Sequence, residues 1–391
     1  MKNRFHFTIG NKSITFASLI LVIFGSLMIA SAEMGNSVGD TTYLTKTIVK
    51  QAIFAVISIA LYFIIMNLKL YKLRITFYYI AYVFILLSLL ACRAFSATNG
   101  AYAWIRIGNL FTIQPSEFAK IFMIVFGSRL FNKDNSIEAN KKAFYKYAIM
   151  AAIYFFIILV IQSDLGSAVV LLAISYCVMM IPPLKGIKKY QNWMSIFVVL
   201  AILLIAFLLS DPVTNWMKGH SDNYMIGRFL AAADPFLYRY DNGYHVIMSL
   251  VSFANGNIFG LGYGNSIHKY MNFPNPSNDF ILPVIVEELG IIGFFGLVVA
   301  YCFILVPLMW GSLKSRMTST KIVLFGVFVY FVVHFILNVG GVSALIPLTG
   351  VPLLLISSGG SSLVASMAGL GFAQAEMVRN RYTDEDNSRE I

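Results

Sequence analysis

Cysteine, histidine and charge are all scarce in this chain, and each scarcity weakens the case for a class of function. The three cysteines, Cys92, Cys177 and Cys302, lie inside apolar runs with no CxxC spacing and no His neighbour. That argues against a disulfide framework or a zinc site and leaves them as small buried hydrophobes. Of the five histidines, His220, His245 and His268 fall at no metal-ligand spacing. No GxGxxG, Walker loop or nucleophile elbow occurs, which disfavours an ATP-driven transporter. No cleavable signal is visible either. The first apolar run is too long and lacks a small-residue cleavage site, so it reads as a signal anchor. Charged residues make up 12% of the 391 positions against 58% hydrophobic. A soluble core of this length cannot hide that much apolar surface, so lipid has to be the solvent for much of the chain.

What is present is a series of apolar runs, near 13–33, 49–67, 75–97, 114–132, 147–163, 166–182, 194–210, 280–309, 321–339 and 360–379. They predict an all-α polytopic membrane protein with ten transmembrane helices of about 20 residues each. The net charge of +11 is not read as a nucleic-acid footprint, because Lys and Arg cluster between the runs, where they set topology. Placing the N-terminus in the cytoplasm puts 20 of the 29 Lys and Arg on inside segments. Both termini are then cytoplasmic, as an even number of spans requires. Residues 1–379 are expected to form one ten-helix transmembrane domain in the plasma membrane. Residues 380–391, ending in the acidic "YTDEDNSREI", are expected to form a short disordered cytoplasmic tail.

Two outside segments stand out. Residues 211–279 form a large extracytoplasmic loop between helices 7 and 8, far beyond common connection lengths. It holds "MIGRFLAAADPF", a candidate short amphipathic helix, and the Gly-punctuated "NGNIFGLGYGNS". In "GGVSALIPLTGVPLLLISSGGSS", 340–362, Gly and Pro interrupt an apolar stretch. Irregular backbone at membrane depth is tolerated only where protein or a water-filled cavity satisfies its polar groups, so both segments are expected to belong to one outward-facing site.

The ionisable residues in apolar surroundings are the functional candidates. Asp279 sits where the long loop meets the eighth run. It reads either as a helix cap shared with Asn278, ahead of a first-turn Pro283, or as an aqueous-facing general base. Glu287 and Glu288 follow roughly 12–14 Å along the axis. Pairing with a basic residue is the simpler reading for them, and proton relay or ion binding the sharper one. Glu117 and Lys120 share a helical face and can pair inside the membrane. Trp104 and Arg106 in "GAYAWIRIG" sit at the outer interface, where Trp normally anchors and Arg can grip a phosphate. Asp164 in "QSDLGS" reads as a turn or cap residue. Arg228 and Arg239 flank Asp234-Pro235 and are either solvated or bind pyrophosphate.

Together these motifs resemble one family, the shape, elongation, division and sporulation proteins of bacteria. "GAYAWIRIGNLFTIQPSEFAK" looks like that family's Gly-x-x-x-Trp-Ile…Gln-Pro-Ser-Glu-x-x-Lys segment. "QSDLGSA" resembles its Gln-Pro-Asp-Leu-Gly. "NGYHVIMSLVSFANGNIFGLGYGNS" followed by "NDFILPVIVEELGIIG" is similar to its loop and eighth helix, and "IPLTGVPLLLISSGGSSL" to its closing motif. The resemblance implies a glycosyltransferase that polymerises lipid II, the undecaprenyl-pyrophosphate disaccharide pentapeptide, at the outer membrane face. It puts Asp279 at the family's essential acid. Trp104, Arg106, Glu117, Lys120, Arg228 and Ser361 would line the substrate site, with Asp164, Glu287 and Glu288 shaping the cavity. A divalent cation, Mg or Mn, is a candidate aid at the pyrophosphate; no metal-ligand residues are assigned. A class B penicillin-binding transpeptidase and other division or elongation proteins are the implied partners. The segment from Gly262 to Asp279 looks more like the division branch than the elongation branch. The chain departs from the pattern at Tyr102-Ala103, Ser163, Leu354 and Ser358, none of which removes Asp279, Glu117 or Lys120. A lipid II flippase without polymerase activity is the competing expectation, since broken helices and intramembrane charges also suit transport.

Overall fold

The computed structural model describes residues 9–37, 41–68, 72–98, 100–108, 111–131, 136–181, 186–208, 234–236, 242–271 and 276–389. Each apolar run falls on a helix, because within hydrocarbon the backbone polar groups find partners only inside their own segment. The helices are α1 (Lys12–Glu33), α2 (Thr41–Asn67), α3 (Ile75–Ala91), α4 (Pro115–Leu130), α5 (Ile137–Phe156), α6 (Leu165–Met180), α7 (Lys188–Leu208), α8 (Asn242–Gly256), α9 (Ile281–Lys314), α10 (Thr318–Val342) and α11 (Gly360–Arg389). Among the described residues six of them, α1, α2, α3, α5, α9 and α10, are long and apolar enough to cross a membrane on length and composition, α3 and α5 counted with the short turns that continue them. The molecule is a multi-pass membrane protein.

Several elements differ from the sequence expectation. α2 begins at Thr41 and α5 at Ile137, well ahead of their apolar runs, because hydropathy marks the part of a helix that meets lipid and not its polar extensions. α5 closes in a π-turn over Ile157–Ile161. α8 lies inside the long 211–279 segment and packs on α9. The all-α expectation is corrected by a small antiparallel hairpin, β1 (Ile105–Ile107) with β2 (Phe111–Ile113), in register Arg106 opposite Thr112. Its β-branched and aromatic residues suit a pleated surface. α11 runs through the stretch expected to be disordered, since extending an existing helix costs far less than starting one.

α10 is the central post, in contact with α4, α6, α9 and α11, while α9 also packs on α1 and α8. The aromatic core follows it. Tyr301 of α9 lies beside Phe331 and Phe335, and Tyr330 makes an edge contact with His334 at 4.7 Å.

Two breaks in regular structure position the site. The apolar pattern predicts α9 as one uninterrupted helix, but Gly290 has φ 68° and ψ −169°, so two helical pieces meet there. The loop after α8 replaces the lost helical bonds. Leu261 N–H donates to Glu287 O at 2.9 Å and Gly262 N–H to Glu288 O at 2.9 Å, while Ile291 and Ile292 donate to Asn257 O and Ile258 O at 3.0 and 3.2 Å. Only glycine fits this position. The conformation is closed to L side chains, and a Cβ would lie 2.2 Å from Ile258 O. Gly290→Ala is expected to destabilise the protein by roughly 2 kcal/mol or more, measured as a fall in the thermal unfolding midpoint in detergent.

The second break is the segment between α10 and α11. Its apolar run Leu353–Ile356 is buried, and side chains hold its backbone. Asn338 Nδ2 donates to Val351 O at 2.9 Å, Ser357 Oγ accepts from Leu353 N–H at 2.9 Å, and Tyr301 Oη donates to Leu354 O.

Candidate active site

The head of α9 is where these pieces converge. Its N-cap position is Phe280, one residue after Asp279. Three bonds to neighbouring elements fix the approach. Ser358 N–H donates to Ser277 O at 2.7 Å, Ser357 Oγ to Asn278 O at 2.8 Å, and Asn338 Nδ2 to Asp279 O at 3.0 Å. Ser277 also donates to Glu33 Oε1 at the end of α1, whose Oε2 accepts from Asn36 at 3.0 Å and Tyr43 at 3.1 Å. Asp279 itself is half-buried. Its carboxylate lies against Gly350, where an added Cβ would come within 3.5 Å of Oδ2. Gly350 has φ +69°, so the interrupted segment turns there without a side chain beside the acid.

Glu117 and Lys120 form a buried pair on α4, with Lys120 Nζ 2.6 Å from Glu117 Oε1. Tyr330 Oη donates to Glu117 Oε2 at 3.0 Å, and Lys120 Nζ lies 3.4 Å from His334 Nε2. The other ring nitrogen of His334, Nδ1, is 3.1 Å from Pro352 O. A carbonyl can only accept, so Nδ1 carries the proton and Nε2 offers its lone pair to Lys120. The network thus links α4 and α10 to the segment that carries Gly350. Lys120 is fully buried, which makes it an internal strut in this conformation and not a surface cation. His334→Leu removes both bonds and leaves Pro352 O without this donor. It is expected to cost about 1–3 kcal/mol of stability, read as a lowered unfolding midpoint.

Asp164 caps α6 through Oδ1, which accepts from Ser167 N–H at 3.0 Å, and its Oδ2 accepts from Gln114 Nε2 at 3.0 Å. Gln114 N–H in turn donates to Ser361 Oγ at 2.9 Å, and Ser361 Oγ donates to Thr112 O at 3.1 Å. Asp164 and Ser361 therefore tie the starts of α4, α6 and α11 together. Trp104 is half-buried and Arg106 exposed, with Arg106 Nη2 donating to Thr98 at 3.0 Å. Arg228 and Arg239 lie outside the described residues.

Glu287 and Glu288 are fully buried and face two consecutive bases of the loop. His268 Nδ1 is 2.7 Å from Glu287 Oε1, and Lys269 Nζ is 2.9 Å from Glu288 Oε1. Ser266 and Asn255 also donate to Glu287, and Ser31 of α1 to Glu288 at 2.6 Å. Tyr263 Oη donates to Leu27 O on α1 at 2.8 Å. Burial, and then the charge of Glu288, push this phenol above its ordinary value. The acids thus clamp the loop onto α1 and α9. Sequence reasoning missed His268, Lys269, Glu33, Asn338 and His334. The one available signal was electrostatic: two carboxylates in an apolar run need two cations, and 268–269 is a basic dyad in the same loop.

Among the described residues no three His, Cys, Asp or Glu are grouped so as to hold a metal ion. A Mg or Mn ion held by one carboxylate together with a substrate's own phosphates needs no such group.

The family model described as "Cell cycle protein", that of FtsW, RodA and SpoVE, matches residues 11–380. The chain belongs to this family. Among FtsW/RodA/SpoVE proteins it is 29% identical to the probable peptidoglycan glycosyltransferase FtsW of Bacillus subtilis, over 97% of this chain and 93% of that one. The fold matches a chain of a peptidoglycan synthase complex described as coordinating polymerization and crosslinking, with a TM-score of 0.70, 23% identity and coverage of 95% and 98%. It also matches the rod shape determining protein RodA of Thermus thermophilus, with a TM-score of 0.64, 22% identity and coverage of 95% and 97%.

Proposed function

We propose that this chain is a peptidoglycan glycosyltransferase that polymerises lipid II into glycan strands at the outer membrane face, with Asp279 as general base. In this reading the GlcNAc 4-hydroxyl of the acceptor attacks the anomeric carbon of the donor sugar. Asp279 takes the hydroxyl proton as the bond forms, and undecaprenyl pyrophosphate leaves. The carrying observation is the contrast among the acids. Glu117, Glu287 and Glu288 are buried, whereas Asp279 is half-exposed at the head of α9 beside Gly350. A general base has to come within hydrogen-bonding distance of the substrate proton it takes, and only the last of these placements allows it. The names of the relatives support the reaction class.

The arrangement that goes with this reading has ten spans with both termini cytoplasmic and Asp279 outside. Residues 1–379 form one membrane domain and 211–279 the large outer loop. The exposed Arg106, near Trp104, is a cation available to the leaving pyrophosphate, with Arg228 as a second candidate. Lys120 and Glu117 act through the backbone they brace, and Ser361 and Asp164 fix the helix ends around the substrate. A class B penicillin-binding transpeptidase is the partner that would crosslink the product, a reading supported by the likeness to a synthase complex that coordinates polymerization and crosslinking. The Gly262–Asp279 segment and the FtsW names of relatives favour septal over lateral wall synthesis. The test is the purified chain, with a cognate transpeptidase, on labelled lipid II. Glycan strands are the expected product, whereas transbilayer movement of lipid II without strands would establish the flippase reading.

A further inference from the structure

At the end of α9 away from Asp279, the residues just ahead of α1 together with α9, α10 and α11 border an open cavity of about 480 Å³. Leu324 and Met377 form apolar walls, and Lys314 and Arg381 stand among its lining residues with Trp310 and Asn11. Lys314 Nζ lies 4.8 Å from the centre of the Trp310 ring, and Arg381 donates to Gly10 O. Among the described side chains, which on α11 run to Arg381, neither cation has a carboxylate within 4 Å. Glu376, on the same helix, is engaged by Arg379 at 3.2 Å and by Thr320 at 2.8 Å. Trp310 is 58% exposed and Leu313 63%, so the α9 face bordering the cavity is the one turned to lipid. A Trp and a Lys one turn apart on such a face mark the depth where acyl chains give way to headgroups.

We propose that this cavity binds the phosphate of an anionic phospholipid, such as cardiolipin or phosphatidylglycerol, from the surrounding leaflet. Lys314 and Arg381 contact the phosphate oxygens, and the first acyl carbons lie along Trp310 and Leu324. Charge favours an anionic headgroup over a zwitterion, because two cations, Lys314 and Arg381, line the pocket. Apolar walls select a lipid over a soluble anion, since free phosphate gains nothing from Leu324 or Met377. Arg381 presents several donors in a fixed fork suited to phosphate. The site is independent of the proposed reaction, which lies at the other end of α9.

Native mass spectrometry of the full chain, titrated with cardiolipin or with phosphatidylcholine, tests this directly. The wild type is expected to retain cardiolipin selectively. The double variant Lys314→Ala, Arg381→Ala is expected to lose roughly tenfold in that retention, and the charge-conserving Lys314→Arg, Arg381→Lys to keep most of it. A matching unfolding midpoint for both variants separates lost binding from lost fold. Equal retention of the two lipids by the wild type overturns the proposal. So does cardiolipin retention unchanged in the double-alanine variant, or displacement of the lipid by millimolar inorganic phosphate.

Discussion

Lys269→Met is expected to destabilise the protein by about 3–5 kcal/mol, because it leaves Glu288 buried without its cation. Glu288 is fully buried, and among the described residues its Oε2 has no hydrogen-bond partner. Oε1 accepts from Lys269 at 2.9 Å, Ser31 at 2.6 Å and the Ser266 N–H at 3.3 Å. Removing Lys269 also frees Ser31 Oγ, to which it donates at 3.0 Å, and Gly264 O at 2.7 Å. The pair is not itself a large source of stability, since desolvating two charges offsets most of their attraction. The double variant Lys269→Met, Glu288→Gln is therefore expected to recover a substantial part of the loss. A cycle of unfolding midpoints for wild type, both single variants and the double variant measures the coupling. If the single Lys269→Met variant unfolds like the wild type, the loop is not held by this pair.

The helices were legible in the sequence because lipid leaves the backbone few solutions, and apolar length records the helical one directly. Gly290 was not legible as a break. In an apolar run a glycine serves equally well as a packing contact, and what decides its role here is the loop at Ile258–Gly260, more than 25 residues away. The partners of Glu287 and Glu288 were hidden for the same reason. His268 and Lys269 each lie 19 positions upstream, a separation that reflects how the loop folds back and follows no helical period. His334 likewise gains its meaning only when Pro352 and Lys120 meet on its two nitrogens. Asp164 was legible as a cap because Asp before Leu-Gly-Ser acts locally on the next turn. Asp279 was legible as a junction residue because the change from polar loop to apolar helix happens beside it. Its neighbour Gly350 was not, being supplied by a segment some seventy residues later in the chain.

The contrast between Asp279 and the deeper acids also predicts different kinds of damage. Changes at Glu287, Glu288 or Lys269 act on the fold and lower activity through it. In the proposed reaction a change at Asp279 acts on chemistry. The side chain is half-exposed, and three bonds hold this stretch through the backbone carbonyls of Ser277, Asn278 and Asp279, so an isosteric amide is expected to keep the scaffold in place. Asn cannot accept the hydroxyl proton, and removing a general base typically lowers a rate by about 10²–10⁴-fold.

The most direct measurement is the rate of glycan-strand formation from labelled lipid II by purified wild type and Asp279→Asn, each with the same transpeptidase partner and each with its unfolding midpoint recorded. A general base at Asp279 predicts strands from the wild type, a loss of at least about 10²-fold in the variant, and closely similar midpoints. Strand synthesis by a folded Asp279→Asn protein at the wild-type rate would contradict it.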